Sequence, residues 1–211
     1  LQRRFQKVVE NAPSPSLRAP LRERITAAAL AMAREVAYEG LGTFEFLVDL
    51  ASAEMPVVFI ECNPRLQVEH TITEEVTGVD LVQAQIALAA GRRLRDIGLD
   101  PAAPPPVLGF AVQWRINAET PDAQGNATPG SGTLHRFHLP PGPGVRVDTH
   151  GAAGATPSPH YDTLLAKLIV HTRSPRFADA LRRSQRALAE CRIDGVATNL
   201  ALLQALAARP E

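Results

Sequence analysis

Ten consecutive residues concentrate chemistry in this chain: Glu61-Cys62-Asn63-Pro64-Arg65-Leu66-Gln67-Val68-Glu69-His70. In an extended chain alternate side chains share a face. One face would then hold two carboxylates, two amides and a guanidinium, and the other would be mostly apolar and packed. Carboxylate and amide oxygens are hard ligands that suit magnesium, which often takes one or two carboxylates beside substrate phosphates. Glu45, on a neighbouring run, can supply a second carboxylate next to Glu61. The planar fork of Arg65 matches a carboxylate-like anion, bicarbonate among them. Glu69 lies beyond it, placed to act as a base if a neighbouring proton must be removed. A solvated strand face accounts for any one of these residues alone. The combination, with Glu45 and Glu61 each set in an apolar run, calls for a charged partner, because an ionised carboxylate is costly to bury by itself.

The elements that must position these groups follow from pattern. Thr43–Val48 and Val57–Cys62 are rich in β-branched and aromatic residues and read as a β-hairpin. Pro64 ends the regular strand near Asn63, since proline cannot donate to a ladder. The polar groups are thereby carried past the end of the sheet. Before the hairpin, residues 2–16 read as a strand or loop ending in a turn. Pro20 then opens a helix whose Leu21, Ile25, Ala28, Met32 and Val36 fall on one face, with Gly40 placed to stop it. After the stripe, a short helical turn from Thr73 breaks at Gly78. Asp80 caps a second, Ala-rich helix that packs into the core and stops at Gly91. Residues 100–107, with Pro101, Pro104, Pro105 and Pro106, form the linker. Beyond it the pattern predicts strands at 110–116 (half-buried by its alternation), 130–138, 144–148 and 163–170. A helix capped by Ser174 and opened by Pro175, and a last helix from about Thr198, complete the reading. The fold class is α+β, with antiparallel strands after the linker.

With 211 residues, 45% hydrophobic and 21% charged, the chain suits one domain or two small ones. Its formal net charge of +0 gives no nucleic-acid footprint, and no apolar run approaches a membrane span. Cys62 and Cys191 lack metal-ligand spacing, which is simplest in a reduced, cytoplasmic protein. No secretory leader is visible. The absent starting Met suggests a piece of a longer chain, with a processed start as the other reading.

Taken together, the stripe and Phe44-Glu45-Phe46 resemble the ATP-grasp signature of biotin carboxylases. Further matching motifs occur in the right order. They are Gln2-Arg3-Arg4-Phe5-Gln6-Lys7, Arg115-Ile116-Asn117-Ala118-Glu119, Tyr161-Asp162-Thr163-Leu164-Leu165-Ala166-Lys167-Leu168 and Ile193-Asp194-Gly195-Val196-Ala197-Thr198-Asn199. The resemblance covers nearly the whole chain. It implies that residues 1–100 are the C-terminal part of an ATP-grasp domain, with helices on an antiparallel sheet. Residues 101–211 would be the small, β-rich biotin carboxylase C-terminal domain. It implies an ATP-dependent ligase that activates bicarbonate as carboxyphosphate and carboxylates N1 of carrier-bound biotin. Glu45, Glu61 and Asn63 would hold magnesium or manganese, with the two glutamates also on the nucleotide side. Arg65, Gln67 and the Val68 backbone would hold bicarbonate, and Glu69 would deprotonate it. Arg115 would stabilise the biotin enolate, Lys7 would neutralise phosphate or bicarbonate charge, and Gln2 would lie by the nucleotide. The partners implied are a biotin carboxyl carrier and carboxyltransferase components, with homodimers common in the family. The acyl substrate, an acyl-CoA in the acyl-CoA carboxylases, is chosen outside this chain.

Two departures stand out. Phe5 replaces the family's usual His, and Gln113-Trp114 precedes Arg115 where many members have Glu. The family's N-terminal domain and lid would precede Leu1, so the chain alone is expected to be inactive. Two competing readings are another bicarbonate-activating ATP-grasp ligase and a non-catalytic dimerisation or docking module. His135 and His138 read as surface or turn residues before a metal pair, Trp114 as core, and Arg92-Arg93 and Arg182-Arg183 as solvated. For Tyr161-Asp162 a structural turn and a biotin-side or dimer contact remain equal readings.

Overall fold

The computed structural model describes residues 1–52, 56–158 and 160–209. Its contacts divide into two units, Leu1–Pro13 with Val107–Glu211, and Ser14–Pro106. The break at 106/107 falls in the Pro-rich linker. Residues 1–13, which the division at 100/101 groups with the first part, pack with the second.

In the Ser14–Pro106 unit, helix α1 (Ala19–Glu35) begins with proline in its first turn, where a missing N–H costs nothing. Only Leu21 of its apolar stripe is fully buried. It ends several residues before Gly40, at Val36 and the left-handed Ala37 (φ 46°). Strands β4 (Thr43–Val48) and β5 (Val57–Asn63) form the expected hairpin, with Glu45 paired to Glu61 and a register shift between Glu45 and Phe46. Residues 53–55 of the connection lie outside the described residues. Helix α2 (His70–Thr77) closes on Gly78 at φ 72°, and Asp80 caps α3 (Leu81–Ala89) by accepting from the Gln83 amide at 2.8 Å. Helix α3 departs from the expected core role, since none of its residues is buried. A 3-10 turn, Leu94–Ile97, leads into the linker.

The other unit is built on a four-stranded antiparallel sheet, ordered β10 (Val145–Thr149), β11 (Leu164–Thr172), β6 (Phe110–Asn117), β3 (Val9–Ala12). One face carries Val112, Trp114, Ile116, Leu168 and Val170, and packs against α4 (Phe177–Glu190) and α5 (Leu200–Ala207). Trp114 is therefore core, at 2% exposure. The second face of β6 is buried as well, because Ala111, Gln113 and Asn117 are covered. The half-buried reading failed because polar residues at alternate positions look like a solvent face.

Small pairs complete the unit: β1 (Gln2–Arg3) with β2 (Gln6–Lys7), β7 (Glu119–Pro121) with β8 (Ala127–Pro129), and β9 (Arg136–His138) with β12 (Arg192–Asp194). Only part of the expected 130–138 strand forms. Helix α4 is preceded by Arg176 as its cap residue, not Ser174, whose hydroxyl instead donates to Asp179. Arg183 is not merely solvated, since it donates to the His171 carbonyl. Burial pushes the Cys191 thiol up to about 11, and neither cysteine forms a disulfide. Among the described residues no helix is long and apolar enough to cross a membrane, and no group of three or more His, Cys, Asp or Glu side chains is arranged to hold a metal.

Leu168→Ala removes a fully buried side chain and is expected to destabilise this unit by about 2–5 kcal/mol. Tyr161→Ala, at a side chain 82% exposed, should change it by less than about 0.5 kcal/mol. Urea unfolding followed by the fluorescence of Trp114 measures both.

Candidate active site

In the Ser14–Pro106 unit the hairpin register places Glu45 directly opposite Glu61. Two carboxylates so placed repel. Donors from the same stripe answer them. Asn63 Nδ2 donates to Glu61 Oε1 at 2.8 Å and to Glu45 Oε1 at 3.3 Å, and Gln67 Nε2 donates to Glu45 Oε1 at 3.0 Å. The structure thus brings Glu45, Glu61, Asn63 and Gln67 together. The donor set fits a hard cation. Two carboxylates converge, and half a turn of the Asn63 amide would turn its oxygen toward the same point.

The stripe keeps its strand geometry only to Asn63. At Pro64 the chain leaves the ladder, and the Arg65 amide closes a tight turn by donating to the Asn63 carbonyl at 2.8 Å. Burial then departs from simple alternation. Gln67 is the buried residue at 8% exposure, Arg65 is exposed, and the even positions are not deeply packed. Glu61 is exposed too, so the desolvation argument that singled it out does not act within the described residues. Gln67 Oε1 is buried without a hydrogen-bond partner, an acceptor held ready for a donor. Glu69 occupies the cap position of α2, and the next residue, His70, pairs with Glu74 at 3.2 Å. Glu74 Oε1 also accepts from the Leu81 amide at 2.9 Å, which ties the end of α2 to the start of α3.

The other unit holds the remaining candidates. Gln2 and Lys7 are register partners in the β1–β2 hairpin, so they too are brought together. Phe5 stands at its tip, 99% exposed, after Arg4 with a left-handed φ of 53°. Arg3 anchors the hairpin by donating to Glu119 Oε1 at 2.8 Å and to Gln6 Oε1 at 2.6 Å. Arg115, on β6, is held by Glu10, its Nε donating to Oε1 at 2.6 Å. The turn at Asp162 is structural in part, since its carboxylate accepts from the Leu164 amide at 2.9 Å.

The Ile193–Asn199 motif proves to be a clamp. Asn199 accepts from the Asn117 amide at 2.9 Å and donates to the Arg115 carbonyl at 3.0 Å. Sequence reading missed this clamp and missed Glu10. The clamp spans 82 and 84 residues of sequence and Glu10 reaches Arg115 across 105, separations at which no local pattern reports contact.

Two family models match. Residues 1–97 match "Carbamoyl-phosphate synthase L chain, ATP binding domain", and residues 113–211 match "Biotin carboxylase C-terminal domain". Pyruvate carboxylase of Aspergillus niger is 46% identical over 211 residues, covering 100% of this chain and 17% of that protein. The biotin carboxylase domain of a single-chain bacterial carboxylase is 51% identical, with a TM-score of 0.89, covering 100% of this chain and 46% of that one. The biotin carboxylase domain dimer of Hydrogenobacter thermophilus 2-oxoglutarate carboxylase is a complex with ADP, its magnesium salt and bicarbonate. It is 38% identical at a TM-score of 0.87, covering 99% of this chain and 44% of that one. The chain thus spans about a sixth of the length of the curated relatives it matches.

Glu45→Ala would strip the buried Gln67 amide of its acceptor and cost about 1–3 kcal/mol. Glu61→Gln relieves a like-charge pair and should leave the hairpin as stable or more so. Amide hydrogen exchange along β4 and β5 checks this, and equal losses in the two variants would contradict it.

Proposed function

The chain belongs to the biotin carboxylase family, and from that premise we propose that it forms one wall of a site that uses MgATP and bicarbonate to carboxylate carrier-bound biotin. The observation that carries the reading is the convergence of Glu45, Glu61, Asn63 and Gln67 where β5 leaves its sheet. Glu45, Glu61 and Asn63 hold magnesium or manganese, which supplies charge neutralisation for the ATP phosphates. Gln2 and Lys7 face the nucleotide, with Lys7 neutralising phosphate or bicarbonate charge. The Arg65 fork, the Gln67 side chain and the Val68 backbone hold bicarbonate.

Glu69 takes the bicarbonate proton, and the freed oxygen attacks the γ-phosphorus as its bond to the ADP oxygen breaks. Carboxyphosphate and ADP result. Phosphoryl transfer of this kind depends on positioning and electrostatics more than on covalent help. The carbon–oxygen bond of carboxyphosphate then breaks, the departing phosphate takes the N1 proton, biotin N1 bonds to the carboxyl carbon, and Arg115 steadies the negative charge that develops on the ureido oxygen.

Residues 1–100 serve as the end of an ATP-grasp domain and 101–211 as the family's C-terminal domain. The match to 1–97 and the match to 113–211 support that division. The exposed Leu47, Val58, Phe59 and Ile60 suit a surface that the preceding half of a biotin carboxylase domain covers. A biotin carboxyl carrier, carboxyltransferase components and a homodimer are the assembly we infer, in a reducing cytoplasmic setting that the two free thiols support. A different bicarbonate-activating ATP-grasp ligase is the second reading, since the model matching residues 1–97 is that of a carbamoyl-phosphate synthase. The match to residues 113–211 favours biotin.

In the full-length protein, ADP release should require bicarbonate and rise with free biotin. Glu69→Gln should abolish both rates, and the chain of residues 1–211 alone should show neither. Bicarbonate-dependent release without any biotin response would favour the second reading.

A further inference from the structure

The second face of β6 carries more charge than the proposed chemistry uses. Register sets Glu10 of β3 opposite Gln113, Lys167 of β11 opposite Arg115, and Asp148 of β10 opposite Lys167. Two cations therefore stand side by side on adjacent strands, flanked by two carboxylates. Like charges directly opposite each other repel. Each cation is drawn outward by its own anion. Lys167 Nζ lies 3.2 Å from Asp148 Oδ2. Burial pushes the Asp148 carboxyl up, but Arg146 and Lys167 outweigh it and hold it below the ordinary carboxylate value, so this anchor is charged at neutral pH.

On the other side, Arg115 Nε donates to Glu10 Oε1 at 2.6 Å and its Nη2 pairs with the same oxygen. The second oxygen, Oε2, accepts from Gln113 Nε2 at 3.1 Å. Both charged side chains are largely covered, at 14% exposure for Arg115 and 10% for Glu10. The guanidinium is thus gripped along one edge by a carboxylate that is itself oriented by a buried amide. Gln113, which as sequence was only a departure from the Glu of many family members, has a physical task here.

We propose that Glu10 is a positioning residue for Arg115, fixing the guanidinium plane against the repulsion of Lys167 so that it meets the developing charge on biotin. The inference rests on the role proposed for Arg115. Glu10 touches no reacting atom in this account and acts through Arg115 alone. Its loss should weaken the biotin half of the reaction and spare bicarbonate activation.

The test uses the full-length protein with Glu10→Gln and Glu10→Asp. Bicarbonate-dependent ADP release is measured with and without free biotin. Glu10→Gln should lower the biotin-stimulated kcat by roughly ten- to a hundredfold, as a misplacement of about 1 Å would. Its biotin-independent ADP release and its KM for bicarbonate should stay at the parent's values. Glu10→Asp, which keeps the charge, should recover part of the loss, and it serves as the test if Glu10→Gln does not fold. Full biotin stimulation in Glu10→Gln, equal loss of both rates, or no difference between the two variants would overturn the inference. Absence of biotin stimulation in the unsubstituted protein would instead overturn the proposed function.

Discussion

On a strand buried on both faces every polar group left without a partner costs free energy, and β6 is such a strand. Gln113 and Asn117 on it, and Glu119 just beyond, are covered almost completely. Asn117 Nδ2 donates to Glu119 Oε1 at 3.2 Å, and further partners come from the two ends of the chain. Glu10 answers Gln113 and Arg115, Arg3 answers Glu119, and Asn199 takes the backbone of Arg115 and Asn117. Leaving any one of these groups unmatched would cost on the order of 1–3 kcal/mol. The N-terminal segment and the Asn199 turn are therefore both tied to β6 and the residues just beyond it. Asn117 Oδ1 and Trp114 Nε1 are exceptions, buried without a hydrogen-bond partner.

The stripe in the other unit works by the opposite economy. Its carboxylates are adjacent and like-charged, and short-range amides moderate that conflict without removing it. Such an arrangement is poorly suited to stability and well suited to a cation. Gln67 belongs to both tasks. Its nitrogen holds Glu45, and its buried oxygen remains an acceptor without a partner.

Legibility in the sequence followed the range of the interaction. The β4–β5 hairpin, the Asp80 cap and the helix stop at Gly78 depend on neighbours in sequence, and their residue types announced them. The break at Pro64 was equally local. Pairing of β3 with β6, which brings Glu10 to Arg115, spans 105 residues and leaves no periodic trace. The second buried face of β6 was hidden for the same reason, because polar alternation reads as solvent exposure unless the partners are known. The short strands β7, β8 and β12 have three residues each, too few to show a period. Residue types were enough to single out the stripe, but not to give its geometry. Alternation predicted that Gln67 would share an open polar face, whereas the turn after Asn63 buries it.

The central claim is that this chain helps to activate bicarbonate for transfer to biotin, and isotope fate tests it most directly. The full-length protein would be supplied with MgATP, free biotin and bicarbonate labelled with oxygen-18 at every oxygen. Attack by bicarbonate on the γ-phosphorus, followed by transfer of its carbon to N1, predicts one labelled oxygen in the phosphate released and two in the carboxybiotin. Unlabelled phosphate, with ADP formed at the same rate, would mean that water is the attacking group and would contradict the account.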